Sequence, residues 1–95
     1  MRTVTIGERT LPARRPADLD ARLIASTGCS AAEHAAMLGP TSTPGQIARV
    51  LAPMLTDEDA PDVLGLAELI EAGDKLDVRA QVLDLLAAPA DTEEG

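Results

Sequence analysis

Residues 3–16 read Thr3-Val4-Thr5-Ile6-Gly7-Glu8-Arg9-Thr10-Leu11-Pro12-Ala13-Arg14-Arg15-Pro16, and they decide the fold class because everything after them reads as helix, cap and helix. Val4 and Ile6 alternate with Thr3 and Thr5, which puts two branched apolar residues on one face of a strand. Gly7-Glu8 supplies the turn, and Leu11 returns on a second strand. Pro12 cannot donate to a ladder, so the return strand is an edge or ends there. A lone two-stranded hairpin is marginal in water, so this one must lie on the helices, join a sheet, or wait for a partner.

Working outward, Leu19, Leu23 and Ile24 predict a short amphipathic helix over 17–26, with Gly28 as its stop. Ser30-Ala31-Ala32-Glu33 has the capping-box pattern and opens a second helix that Gly39-Pro40 ends. Thr43, Pro44 and Gln46 form another box. Ile47, Val50, Leu51, Met54 and Leu55 follow it at i, i+3, i+4, i+7 and i+8, the spacing of a core-facing stripe. Pro53 must kink or end that helix, because it removes the hydrogen bond to the carbonyl of Arg49 and crowds it.

Beyond the acidic connector Thr56-Asp57-Glu58-Asp59-Ala60-Pro61, a helix over 62–72 carries Val63, Leu66, Ala67 and Ile70 on one face, widened by Leu64 and Leu69. Asp74 caps a last helix over 74–88, whose expected apolar face is Leu76, Ala80, Leu83 and Ala87, flanked by Val82, Leu85 and Leu86. Both stripes are wider than a single neighbour needs, which predicts burial on two sides or self-association. The expected fold is therefore α+β and mostly α: an N-terminal β-hairpin followed by a bundle of four to five short helices. One domain is expected over 1–88, with 1–16 as hairpin and lead-in and 17–88 as helical body, and 89–95 as a disordered acidic tail.

Composition narrows the function classes. Of the 43 apolar residues 17 are Ala, and none is Phe, Trp or Tyr, so the usual base-stacking platforms and interface anchors are missing. The net charge of −8 disfavours nucleic-acid and anionic-membrane partners. It is also uneven: residues 1–22 sum to +2 and residues 23–95 to −10. One cysteine, Cys29, fits a reducing compartment, and no apolar run approaches the roughly 18 residues of a membrane span, so a cytoplasmic location is expected.

No residue pattern marks a catalytic, cofactor or metal site. Cys29 and His34 are the only soft ligands, too few for four-coordinate zinc, and flanking the Ser30 cap they occupy the two positions of a hydrophobic staple. Asp57-Glu58-Asp59 lacks the alternation of a calcium loop, and Thr41-Ser42-Thr43 lacks the Gly-rich run and Lys of a phosphate cradle. Ser26, Ser30 and Ser42 follow Ala25, Cys29 and Thr41, so the Asp-Ser-Leu attachment motif of acyl carriers is absent.

The opening from Thr3 to Leu19 resembles, in its strand, turn, strand, basic residues and first helix, the small tail assembly chaperones of long-tailed phages and of phage-derived particles such as gene transfer agents. Acidic, Leu- and Ala-rich helices then follow through Leu86, as they do in that family. The chain departs from the family in its lack of aromatics and its short hairpin. The resemblance implies a non-enzymatic helper without cofactor that coats the tape-measure protein, keeps its helices soluble and recruits tail-tube subunits. Val4, Ile6, Leu64, Leu69, Ile70, Leu85 and Leu86 are the residues expected to meet partners, which include further copies of this chain. The alternative is an acidic adaptor or inhibitor, of antitoxin or anti-defence type, that binds a basic protein.

Overall fold

The computed structural model describes residues 2–56 and 58–87 and has the expected class, an N-terminal antiparallel hairpin followed by five helices. Strand β1 (Arg2–Ile6) pairs with β2 (Arg9–Ala13) in the register Thr3 with Pro12, Val4 with Leu11, Thr5 with Thr10 and Ile6 with Arg9. Gly7 at φ 62 takes the first turn position with Glu8 outside the positive-φ region, the type II′ pattern whose twist suits a two-residue hairpin. Val4, Ile6, Leu11 and Ala13 are buried, so the apolar face lies on the body.

Both edges of this small sheet are engaged by the rest of the chain. On the β2 side, Thr56 N–H donates to the Pro12 carbonyl at 3.1 Å and Arg14 N–H to the Met54 carbonyl at 2.8 Å, around a bridge between Ala13 and Leu55. Pro12 sits where its missing N–H faces outward, so no ladder bond is lost. On the β1 side, the Gln81 side chain accepts the Thr5 N–H at 2.8 Å and donates to the Thr5 carbonyl at 2.9 Å. A primary amide presents its oxygen and one of its two N–H groups on the same edge, so one side chain meets both backbone groups of Thr5 where a third strand would otherwise bond.

The helical body starts with α1 (Leu19–Thr27), which ends at Gly28 in the left-handed region, φ 84. It begins two residues later than the sequence suggests, because Pro16 and Asp18 hold the preceding turn. Helix α2 (Ala31–Met37) opens with the complete Ser30/Glu33 capping box and receives a second cap from α1, where Asp20 Oδ1 accepts the Ala31 N–H at 2.9 Å. Helix α3 (Pro44–Leu51) opens with the Thr43/Gln46 box, and Pro53 ends it early, turning Ala52–Met54 into a 3₁₀ turn.

Helix α4 (Val63–Ala72) is capped by Asp62, whose carboxylate accepts the Gly65 N–H at 2.9 Å. Helix α5 (Lys75–Ala87) is capped by Asp74 through the Asp77 N–H at 3.2 Å. Helix α3 lies against α4 and α5, while α5 also packs on α2 and β1. The twelve largest fully buried side chains are all Leu, Ile, Val or Met, so the core closes on aliphatic packing alone. Each contributes about 1.5–3 kcal/mol of transfer free energy.

One expected face is corrected. The inward stripe of α5 is Val78, Val82, Leu85 and Leu86, while Leu76 is 51% exposed and Ala80 and Ala87 are also exposed. Two stripes of equal helical period run along this helix, and the larger side chains together with the Gln81 bonds to Thr5 select the one that is buried. The expected tail over 89–95 lies outside the described residues.

Candidate docking surface

The sequence-predicted contact residues fall into two groups. Val4, Ile6, Ile70, Leu85 and Leu86 are at most 6% exposed and fill the chain's own core, so no partner reaches them without opening the fold. Their apolar character serves internal packing. Leu69 is half-buried, and Leu64, 69% exposed, is the one that stands free of the core. Among the described residues the other large apolar side chains left in solvent are Ile24, Met37, Val63 and Leu76.

Two of these line a groove. Its narrower part, about 180 Å³, lies between α2 and α3 and is walled by Met37, Leu38, Ser42 and Gln46, with Thr27 and His34 at its floor and Arg49 at its mouth. Its wider part, about 410 Å³, runs between α1, the 3₁₀ turn and the start of α4, over Ala52, Pro53 and Val63, with Arg22 and Ser26 on the α1 wall. The parts share Thr27 and Arg49. Arg22 holds an exposed i, i+4 ion pair with Asp18 at 2.9 Å, which in water is worth little and leaves the guanidinium able to take another carboxylate. Two guanidiniums therefore line a trough of mixed polar and apolar side chains in a chain of net charge −8.

The floor is held by one hydroxyl. Thr27 Oγ1 donates to the Leu23 carbonyl at 2.8 Å, which leaves it as acceptor for the Cys29 N–H at 3.3 Å and for His34 Nε2 at 2.8 Å. His34 therefore carries its proton on Nε2 in the neutral ring. Its exposure is 9%, and burial pushes its pKa below 6.5, against a smaller raising effect from Glu33. His34, the expected staple partner of Cys29, bonds Thr27, three residues before the Ser30 cap. The loop walls are equally closed: Ser42 N–H donates to the Gly39 carbonyl at 3.0 Å and Ser42 Oγ accepts the Gly39 N–H at 2.9 Å.

The groove's arginines were not singled out by sequence reasoning. Arg22 and Arg49 lie 27 positions apart on helices whose mutual placement no local pattern reveals. Among the described residues no group of three or more His, Cys, Asp or Glu is placed to hold a metal ion, and no helix is long and apolar enough to cross a membrane. No family model, no curated protein and no solved structure matches the chain.

Proposed function

We propose that this chain is a non-enzymatic assembly chaperone of the long-tailed-phage type, which acts in the cytoplasm by holding an amphipathic helix of a tape-measure protein in the groove between α1, α2 and α3. The observation that carries the reading is the groove itself, a trough of mixed lining with the apolar side chains of Met37, Leu38, Ala52, Pro53 and Val63 along it and Arg22 and Arg49 beside them. Such a trough suits a helix that offers aliphatic side chains at i, i+3, i+4 and i+7 and a carboxylate on its flank. The hairpin, basic lead-in and acidic helices occur in the order the family resemblance implies. Tail-tube subunits and further copies of this chain belong to the same proposal as later partners.

A second reading has an observation of its own. Glu68, Glu71, Asp74, Asp77 and Asp84 are all exposed along α4 and α5, an acidic surface suited to a basic protein in the manner of an adaptor or inhibitor.

Co-expression with a tape-measure fragment tests the first reading. The fragment becomes soluble with the parent chain, and substitution of Met37→Asp with Arg49→Glu removes the rescue while the variant keeps its own unfolding midpoint. High salt weakens the complex little, because the contact is apolar first. Failure of the parent chain to rescue overturns the proposal, and tight salt-sensitive capture of a basic toxin or nuclease moves it to the acidic inhibitor.

A further inference from the structure

The pairing between Gln81 and Thr5 places a side chain where a β-strand belongs. Thr5 directs both backbone polar groups away from β2, since both bond to Gln81, so Thr5 and Thr10 form a non-hydrogen-bonded pair. Their hydroxyls approach to 3.4 Å, in keeping with the closer side-chain spacing of such a pair. Alternation directs the N–H and C=O of Thr3 outward too, and no partner takes them among the described residues. Thr3 and Thr5 are both exposed. The β2 edge is closed by Met54–Thr56 backbone, so among the described residues β1 presents the sheet's remaining ladder positions.

The ground beside that edge is acidic. Gln81 also donates to Asp77 Oδ2 at 3.0 Å, and Asp74, Asp77, Gln81 and Asp84 follow one another at the three- and four-residue steps of a single helix stripe. Helix α5 starts near the hairpin turn, where a Cβ on Gly73 would lie 3.3 Å from Gly7 N, and reaches Thr5 at Gln81, so its later turns run toward the start of β1.

We propose that the outer edge of β1 is a strand-addition site for an extended basic segment of another polypeptide, with Gln81 as a displaceable plug that satisfies Thr5 until the segment arrives. Main-chain hydrogen bonds from Thr3 and Thr5 hold the incoming strand, and lysine or arginine side chains on it meet Asp77 and Asp84. A second copy of this chain is the poorer occupant. Antiparallel pairing of two β1 strands would bring two α5 stripes of like charge beside one seam. The site is independent of the groove, and its success or failure leaves the chaperone reading where it stands.

The test is a nitrogen-15 NMR titration of the full chain with a terminally blocked peptide of alternating lysine and valine. Expected are shifts and slowed exchange at the Thr3 and Thr5 amides, with release of the Gln81 side-chain NH₂ resonances. Gln81→Ala removes the competitor and tightens binding by roughly tenfold. Gln81→Glu, which keeps an acceptor for the Thr5 N–H and loses the donor to its carbonyl, also tightens binding should the alanine variant fold poorly. Asp77→Asn with Asp84→Asn weakens it. Equal binding by the peptide N-methylated at alternate residues overturns the proposal, since charge alone would then suffice. Equal binding by a glutamate–valine peptide overturns it as well, and so does a Gln81→Ala variant that dimerises through Thr3 and Thr5 but ignores the lysine peptide.

Discussion

His34 Nε2 donates to Thr27 Oγ1 at 2.8 Å, and that hydroxyl in turn donates to the Leu23 carbonyl, so the imidazole is fastened to the last turn of α1 through one oxygen. The bond itself is open to the neutral and the protonated ring alike, and it is burial that disfavours the charged form. Protonating the ring puts a charge on Nδ1 in a site that is 9% exposed.

The first prediction is a stability that falls with acid. Burial lowers the folded-state pKa of His34 below the 6.5 of the unfolded chain, so the unfolded state binds the proton more readily. The contribution of the neutral ring is fully present above about 6.5 and is lost as pH drops from there through the depressed folded value. Urea unfolding at successive pH values reads this directly. In His34→Gln the portion of the slope just below 6.5 disappears.

Truncating the central stripe tests the core. Leu51 is fully buried where α3 meets the rest of the body, so Leu51→Ala costs about 2–5 kcal/mol through lost transfer energy and the cavity left behind. Denaturant unfolding of parent and variant gives the difference. An unchanged midpoint means the side chain is not buried as described.

Leu64 and Leu66 provide a paired control on α4. Leu64 is 69% exposed, so Leu64→Asp shifts stability by no more than about 0.5 kcal/mol. Leu66 is fully buried, and Leu66→Asp unfolds the chain because a carboxylate there has no partner. Circular dichroism of the two variants separates them.

The tertiary cap is the fourth. Asp20→Ala leaves the Ala31 N–H without its acceptor and costs about 0.5–2 kcal/mol, comparable to the loss from Thr43→Ala at the start of α3. Combining the two adds nearly linearly, since they serve different helices.

How far the sequence announces this fold depends on the range of the signal. Ser30 with Glu33 and Thr43 with Gln46 are local devices that need no tertiary context, and each helix begins where its box places it. Pro53 ends α3 for a reason contained in its own ring. The phase of α5 is another matter. Leu76, Val78, Ala80 and Val82 alternate, so two opposite faces compete, and the choice between them is made by packing against α3 and β1 from far along the chain. For the same reason Val4, Ile6 and Ile70 read as contact residues in sequence and are core in the fold. The groove arginines and the Gln81 plug carry no local pattern, because each is defined by an element distant in sequence.

The bond between Thr5 and Gln81 spans 76 positions, which sets an order of events during synthesis. A ribosome working at roughly 5–20 residues per second extrudes the hairpin on the order of 4–15 s before the helix that finishes it. Through that interval Val4, Ile6 and Leu11 have no α5 to lie on, and the nascent strand edge is open to whatever chain is nearest. The last helix to be translated is thus the one that shelters the first strand. A pause in translation ahead of Lys75 would lengthen the nascent chain's exposure, and a mutation that slows docking of α5 would act on yield before it acted on the melting point of the finished protein.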